Sequence, residues 1–274
     1  MNLNQSRGWR LRLAFFCAGL FVLSALPVQG ADTADKKQVI RQARAAYYSL
    51  RERGLTEFQA NIKPTWEVVL KEQMQSDPEG AQAGLKLLNS LHFVMSLDSA
   101  GKVTVNHSAD APPPNERVAS GFNDIYAGMD KAVTGFFDSW SPFMLTSPFP
   151  EVEGEYQLED QGGEYRLSYK DGSADVVTMM NKDFTITMIK VTSPEFLSTF
   201  RPVFARTARG FILSGYSADY QPRLGPGVVA LKVQLEYQEV NGLQLPRKLS
   251  LDSVYDGSPT QMELVFADYQ VKAK

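Results

Sequence analysis

The chain has 274 residues, with 28 Lys and Arg against 31 Asp and Glu, two His and one Cys. A net charge of −3 argues against nucleic acid as a partner and against binding anionic membrane surfaces through bulk charge. One cysteine excludes an internal disulfide, so stability has to come from a packed core.

The first residues carry Arg7, Arg10 and Arg12 and no acid. An apolar run from Leu13 to Leu26 follows, Pro27 breaks it, and Val28-Gln29-Gly30-Ala31 supplies small residues. A basic start, a short apolar segment and a small-residue site define a secretory signal. The run is shorter than the about 20 apolar residues a spanning helix needs. The expectation is therefore cleavage near Gly30, a signal peptide over 1–30, and a single β-rich domain over 31–274 with no stable membrane insertion. Cys17 leaves with the signal, because Ala14-Phe15-Phe16 ahead of it is too bulky for a lipobox. Removing the three arginines takes the 28 basic residues to 25 against 31 acidic ones, a net charge of about −6.

Along the remaining chain, Val39, Ala43, Ala46, Tyr47 and Leu50 recur at helical spacing, predicting a helix over about 36–53 that stops at Gly54. Ile62, Trp66, Val68 and Leu70 alternate, predicting a strand over 58–70, with Pro64 marking an edge or bulge. Asp77-Pro78 opens a second helix, and 91–97 with 102–107 form a hairpin around Ser99-Ala100-Gly101. Pro112-Pro113-Pro114 makes a stiff connector. Val118, Phe122, Ile125, Met129, Val133, Phe136, Phe137 and Trp140 then give the longest helical signal, over 118–140, which Ser141-Pro142 should end.

From about residue 152 the period becomes two. Tyr165, Leu167 and Tyr169 alternate with polar residues, as do Phe184, Ile186 and Met188, the run Val229 to Tyr237, and Met262, Leu264 and Phe266. One wet and one apolar face is the mark of an antiparallel sheet. Turn chemistry separates the runs, including Lys170-Asp171-Gly172, Asn241-Gly242 and Asp256-Gly257. The segment 194–223 is harder to read and offers one strand near 211–213. A sheet with one apolar face needs a cover. The fold expected is α+β: a curved antiparallel sheet, a half or incomplete barrel, covered by two or three helices, with 77–150 as a helical insertion.

Candidate chemistry is sparse. His92 and His107 lie in strand-like segments with no second ligand at metal spacing, and no zinc, calcium, nucleotide or nucleophile-elbow motif occurs. The expectation is a non-catalytic protein without metal or cofactor. The apolar concentration is more informative. Phe136, Phe137, Trp140, Phe143 and Phe149, with Met144 and Leu145, crowd one helix end. They read either as core packed onto the sheet or as the wall of a cavity for an acyl chain, in which case Phe136, Phe137, Trp140, Phe143 and Met144 contact the ligand. Met179, Met180 and Met188 would add adaptability.

Three segments carry a family likeness. They are Ala43-Arg44-Ala45-Ala46-Tyr47-Tyr48-Ser49-Leu50 leading into Leu55-Thr56-Glu57-Phe58, Asp183-Phe184-Thr185-Ile186, and Tyr237 to Pro246 followed by Phe266-Ala267-Asp268-Tyr269. In these and in the order of its elements the chain resembles the outer-membrane lipoprotein carrier superfamily, the LolA/LolB-like proteins with an unclosed β-barrel. The resemblance implies a periplasmic or exported carrier of a lipid, a lipoprotein or another hydrophobic ligand. It transfers no individual functional residue. The other reading left open is an envelope structural or interaction protein without a small-molecule ligand.

Overall fold

The computed structural model describes residues 30–274, with side chains from Asp35 onward, so the expected signal peptide, up to residue 29, lies outside the described residues. The chain opens with helix α1 (Gly30–Ala45) and strand β1 (Leu55–Pro64). Three short helices follow, α2 (Trp66–Val69), α3 (Lys71–Ser76) and α4 (Pro78–Leu88), then the hairpin β2 (Leu91–Leu97) and β3 (Val103–Ala109). Helix α5 (Glu116–Met144) leads to the meander β4 (Tyr156–Asp160), β5 (Glu164–Asp171), β6 (Ala174–Asn181), β7 (Ile186–Thr192), β8 (Phe196–Thr207), β9 (Gly210–Pro222), β10 (Val229–Val240), β11 (Leu243–Tyr255) and β12 (Ser258–Ala273).

These strands form one sheet of twelve in the order β3-β2-β1-β12-β11-β10-β9-β8-β7-β6-β5-β4, every pairing antiparallel. The order does not return on itself: β3 and β4 are free edges, and the sheet is a curved, unclosed barrel. The α+β class and the helix-covered antiparallel sheet expected from the alternating pattern are what the chain forms. The segment 77–150 supplies both the edge hairpin β2–β3 and the helix that fills the concave face.

Four details differ from the sequence reading. The alternation at 66–70 belongs to α2, because Pro64 is the last residue of β1 and Thr65 donates its N–H to the Glu263 carbonyl at 2.9 Å. Three alternating residues are too few to separate a strand from a helical turn, and Trp66 is buried against Phe93. Helix α1 ends at Ala45, and 46–54 is a turn region in which Tyr47 bridges to Phe211. Helix α5 runs past Pro142 to Met144. A proline in the last turn removes one N–H bond only, and burial of Phe143 and Met144 keeps the chain helical. Finally, 194–223 forms two long strands, β8 and β9, whose alternation is interrupted by a bulge at Val203/Phe204.

The core lies between α5 and the sheet. Helix α5 starts on a side-chain cap, Asn115 accepting from Val118 N at 3.0 Å. It runs across the concave face from the β2–β3 edge, where Tyr126 stacks on His107 at 3.8 Å, to β8, where Phe143 stacks on Phe200 at 5.4 Å.

Candidate functional site

All five aromatic-helix candidates are in the filled core: Phe136, Phe137, Trp140, Phe143 and Met144 are each at most 5% exposed. Phe137 meets Phe58, Trp140 and Phe266 with ring centroids 5.3–6.0 Å apart, and Phe136 meets Phe266 at 6.2 Å. Trp140 donates its indole N–H to the Tyr237 hydroxyl at 3.0 Å, and Tyr237 donates onward to the Leu213 carbonyl at 2.6 Å. Burial pushes the Tyr237 phenol well above its ordinary range and Tyr216, which the Ser139 side chain bonds, up to about 12. These groups are positioned to be neutral hydrogen-bond partners, not acids or bases at physiological pH. Among the described residues, no three His, Cys, Asp or Glu gather where they could hold a metal ion. His92 bonds the Asp110 carboxylate at 2.6 Å on the surface.

The three segments that carry the family likeness meet in space. The Tyr47 hydroxyl donates to the Phe184 carbonyl and accepts from Ile186 N, both at 2.9 Å. The Tyr48 hydroxyl accepts from Gln244 N at 3.0 Å, and Tyr269 donates to the Pro246 carbonyl at 2.6 Å. Phe184 adopts φ 69°, a left-handed conformation costly for an aromatic residue, and the Tyr47 bond holds its carbonyl there. On the other side of α1, Arg44 donates to the carbonyls of Phe149 and Pro150 at 3.1 and 2.9 Å, while Lys37 pairs with Glu153. Helix α1 and the turn after it thus tie the loop between α5 and β4 to the β6–β7 turn and to β11.

What α5 leaves uncovered is set by strand register. Tyr216, Val233 and Leu251 are opposed in a row across β9, β10 and β11; Tyr216 and Val233 are buried, and Ser139 of α5 bonds Tyr216. Four residues along each strand, on the same face, the row Tyr220, Val229 and Tyr255 lies beyond the helix. Tyr220 is 38% and Tyr255 53% exposed. Phe196 of β8 packs on Tyr220 at 5.1 Å. The strip ends on the β9–β10 loop, where Leu224 is 90% and Val228 52% exposed. That loop is pinned: Asp256 accepts from Gly227 N and Val228 N at 3.1 and 2.9 Å, and Arg223 N donates to the Glu195 carbonyl at 2.8 Å. An aliphatic tip on a fixed loop, continuous with a concave aromatic strip, suits contact with an apolar ligand.

Sequence reasoning missed this strip because it left 194–223 without two strands. The available signal was Leu224 and Val228 bracketing Gly225-Pro226-Gly227, apolar residues where a turn ordinarily places polar ones. A second concavity, of about 670 Å³ over β4–β6, is open and of mixed lining, with Arg166, Lys170 and Asp175 beside Tyr156, Tyr169 and Val176. Comparison with family models, with curated proteins and with solved structures finds no match to this chain.

Proposed function

We propose that this chain is an exported, non-catalytic binding protein that takes a hydrophobic ligand, a lipid or the acyl chains of a lipidated protein, on the uncovered end of its concave face. The single observation that carries this reading is the apolar strip in which exposed Tyr220 and Tyr255 flank half-buried Phe196 and Val229, ending on exposed Leu224, on the face that α5 covers elsewhere. The strip lies beside a core already filled by Phe136, Phe137, Trp140, Phe143 and Met144, so those residues shape the floor and the ligand meets the strip. The basic, apolar N-terminus supports export, and the segment likeness to lipoprotein carriers supports the ligand class.

A second reading, an envelope interaction protein with no small-molecule ligand, is favoured by the same filled core. Native mass spectrometry with lipid extraction, on protein purified from the periplasm without detergent, separates the two. Under the first reading an acyl-chain species co-purifies near stoichiometrically, and Leu224→Asp with Tyr255→Ser removes it without lowering the unfolding midpoint. A ligand-free mass that incubation with phospholipid leaves unchanged transfers the assignment to the second.

A further inference from the structure

The two free edges of the sheet are built differently. Edge strand β4 is five residues long, and Glu159 and Asp160 at its end pair with Arg166 and Lys182. Charged side chains of this kind keep an edge from pairing with another strand. Edge strand β3 reads Val103-Thr104-Val105-Asn106-His107-Ser108-Ala109, with no charge and no proline, and among the described residues no side chain bonds its outer backbone groups. Its outer N–H and C=O groups form a template for a further antiparallel strand.

The residues on that edge specify which strand. We propose that β3 pairs with β3 of a second copy of this chain, antiparallel about a two-fold axis through Asn106. In this register Asn106 opposes Asn106, Val105 opposes His107, Thr104 opposes Ser108 and Val103 opposes Ala109. Residues of one parity stay on one face, so both concave faces open to the same side and the polar row Thr104, Asn106 and Ser108 stays on the outer surface of both copies. One step further along, Lys102 of each copy opposes Asp110 of the other. Lys102 is exposed; its backbone N–H donates to the Asp98 carboxylate at 2.7 Å, but among the described residues its side-chain ammonium forms no ion pair in its own chain. Asp110 is exposed, and among the described residues its carboxylate bonds only His92, through Oδ1 at 2.6 Å. The charge match therefore occurs twice, at both ends of the paired strands, as an isologous interface requires. Moving the register by two residues in either direction loses both ion pairs and shortens the ladder. The interface is separate from the apolar strip at β8–β11, and it does not depend on that strip binding a ligand.

Sedimentation velocity of the purified protein over a concentration series tests this. The expected result is a reversible dimer that Lys102→Glu weakens roughly tenfold, because two like-charge pairs replace two opposite ones. The exchanged variant Lys102→Glu/Asp110→Lys restores the dimer. Hydrogen exchange gives a second reading: the amides of β3 slow as concentration rises, while those of β4 do not. A monomer at every concentration, a dimer indifferent to Lys102→Glu, or β3 exchange independent of concentration overturns the proposal.

Discussion

Tyr237 is the residue on which the aromatic core is polarised. Its hydroxyl accepts from the Trp140 indole at 3.0 Å and donates to the Leu213 carbonyl at 2.6 Å, so one oxygen satisfies a helix side chain and a strand backbone group together. Replacement by phenylalanine keeps the ring and leaves both partners unpaired inside the core. Tyr237→Phe is therefore expected to lower unfolding stability by about 1–3 kcal/mol, read from the denaturation midpoint at unchanged slope. A loss under a few tenths would mean that water reaches the indole. Thr178 shows the opposite situation: it is fully buried, and among the described residues its hydroxyl has no hydrogen-bond partner. Polar positions of this kind are invisible in the sequence, where Thr178 sits in a strand pattern it fits by shape alone.

At the scale of elements, the turn after α1 joins β9 by backbone contact as well as by the packing of Tyr47 on Phe211, whose ring centroids are 5.5 Å apart. Phe211 N donates to the Ala46 carbonyl at 2.8 Å and Tyr48 N to the Phe211 carbonyl at 2.9 Å. Gly210 makes this approach at φ 111°, and a Cβ there would lie 2.8 Å from the Ala46 oxygen and 2.9 Å from Tyr48 N. Gly210→Ala is expected to cost roughly 2 kcal/mol or more, from backbone strain plus the lost junction. Gly162→Ala, at φ 84° with open space around it, should cost only the strain, about 1 kcal/mol. Equal unfolding midpoints for the two variants would refute the close-approach argument. The long helix and most of the meander were legible in the sequence because their apolar residues repeat over many turns or pleats. The helix α2 and the strand β8 were not, and of β9 only the part near 211–213 was: α2 offers a single turn of pattern, and the β8 alternation slips at its bulge.

For the whole molecule, the buried phenols make alkaline pH the informative stress. Burial holds Tyr216 and Tyr169 up at about 12, with Asp171 adding to Tyr169, and raises Tyr47, Tyr237 and Tyr269 as well. In the unfolded chain a phenol ionises near pH 10, or about two pH units earlier than Tyr216. Below about pH 10 both states keep these protons and stability does not depend on them. Above it the unfolded state loses protons first, so stability falls as pH rises from about 10 towards 12. The expected outcome is a denaturation midpoint level through neutral pH that drops steeply above pH 10, with the absorbance of the buried phenols as phenolates appearing only as the protein unfolds. Phenolate absorbance that develops fully while the midpoint holds would show that the phenols are solvated in the native state.

Periodicity by itself determined the α+β class, the antiparallel meander and the amphipathic helix that covers it, because alternation and helical spacing each report which side of an element must be buried. Composition determined that the core rests on packing without disulfides. Only the tertiary structure decided that Phe136, Phe137, Trp140, Phe143 and Met144 fill the concave face, and that Tyr220, Leu224 and Tyr255 remain exposed beyond it. An apolar residue has the same local signature whether a neighbour covers it or not. Cover depends on where α5 crosses the sheet, and strand register, set by pairings between residues distant in the chain, decides that.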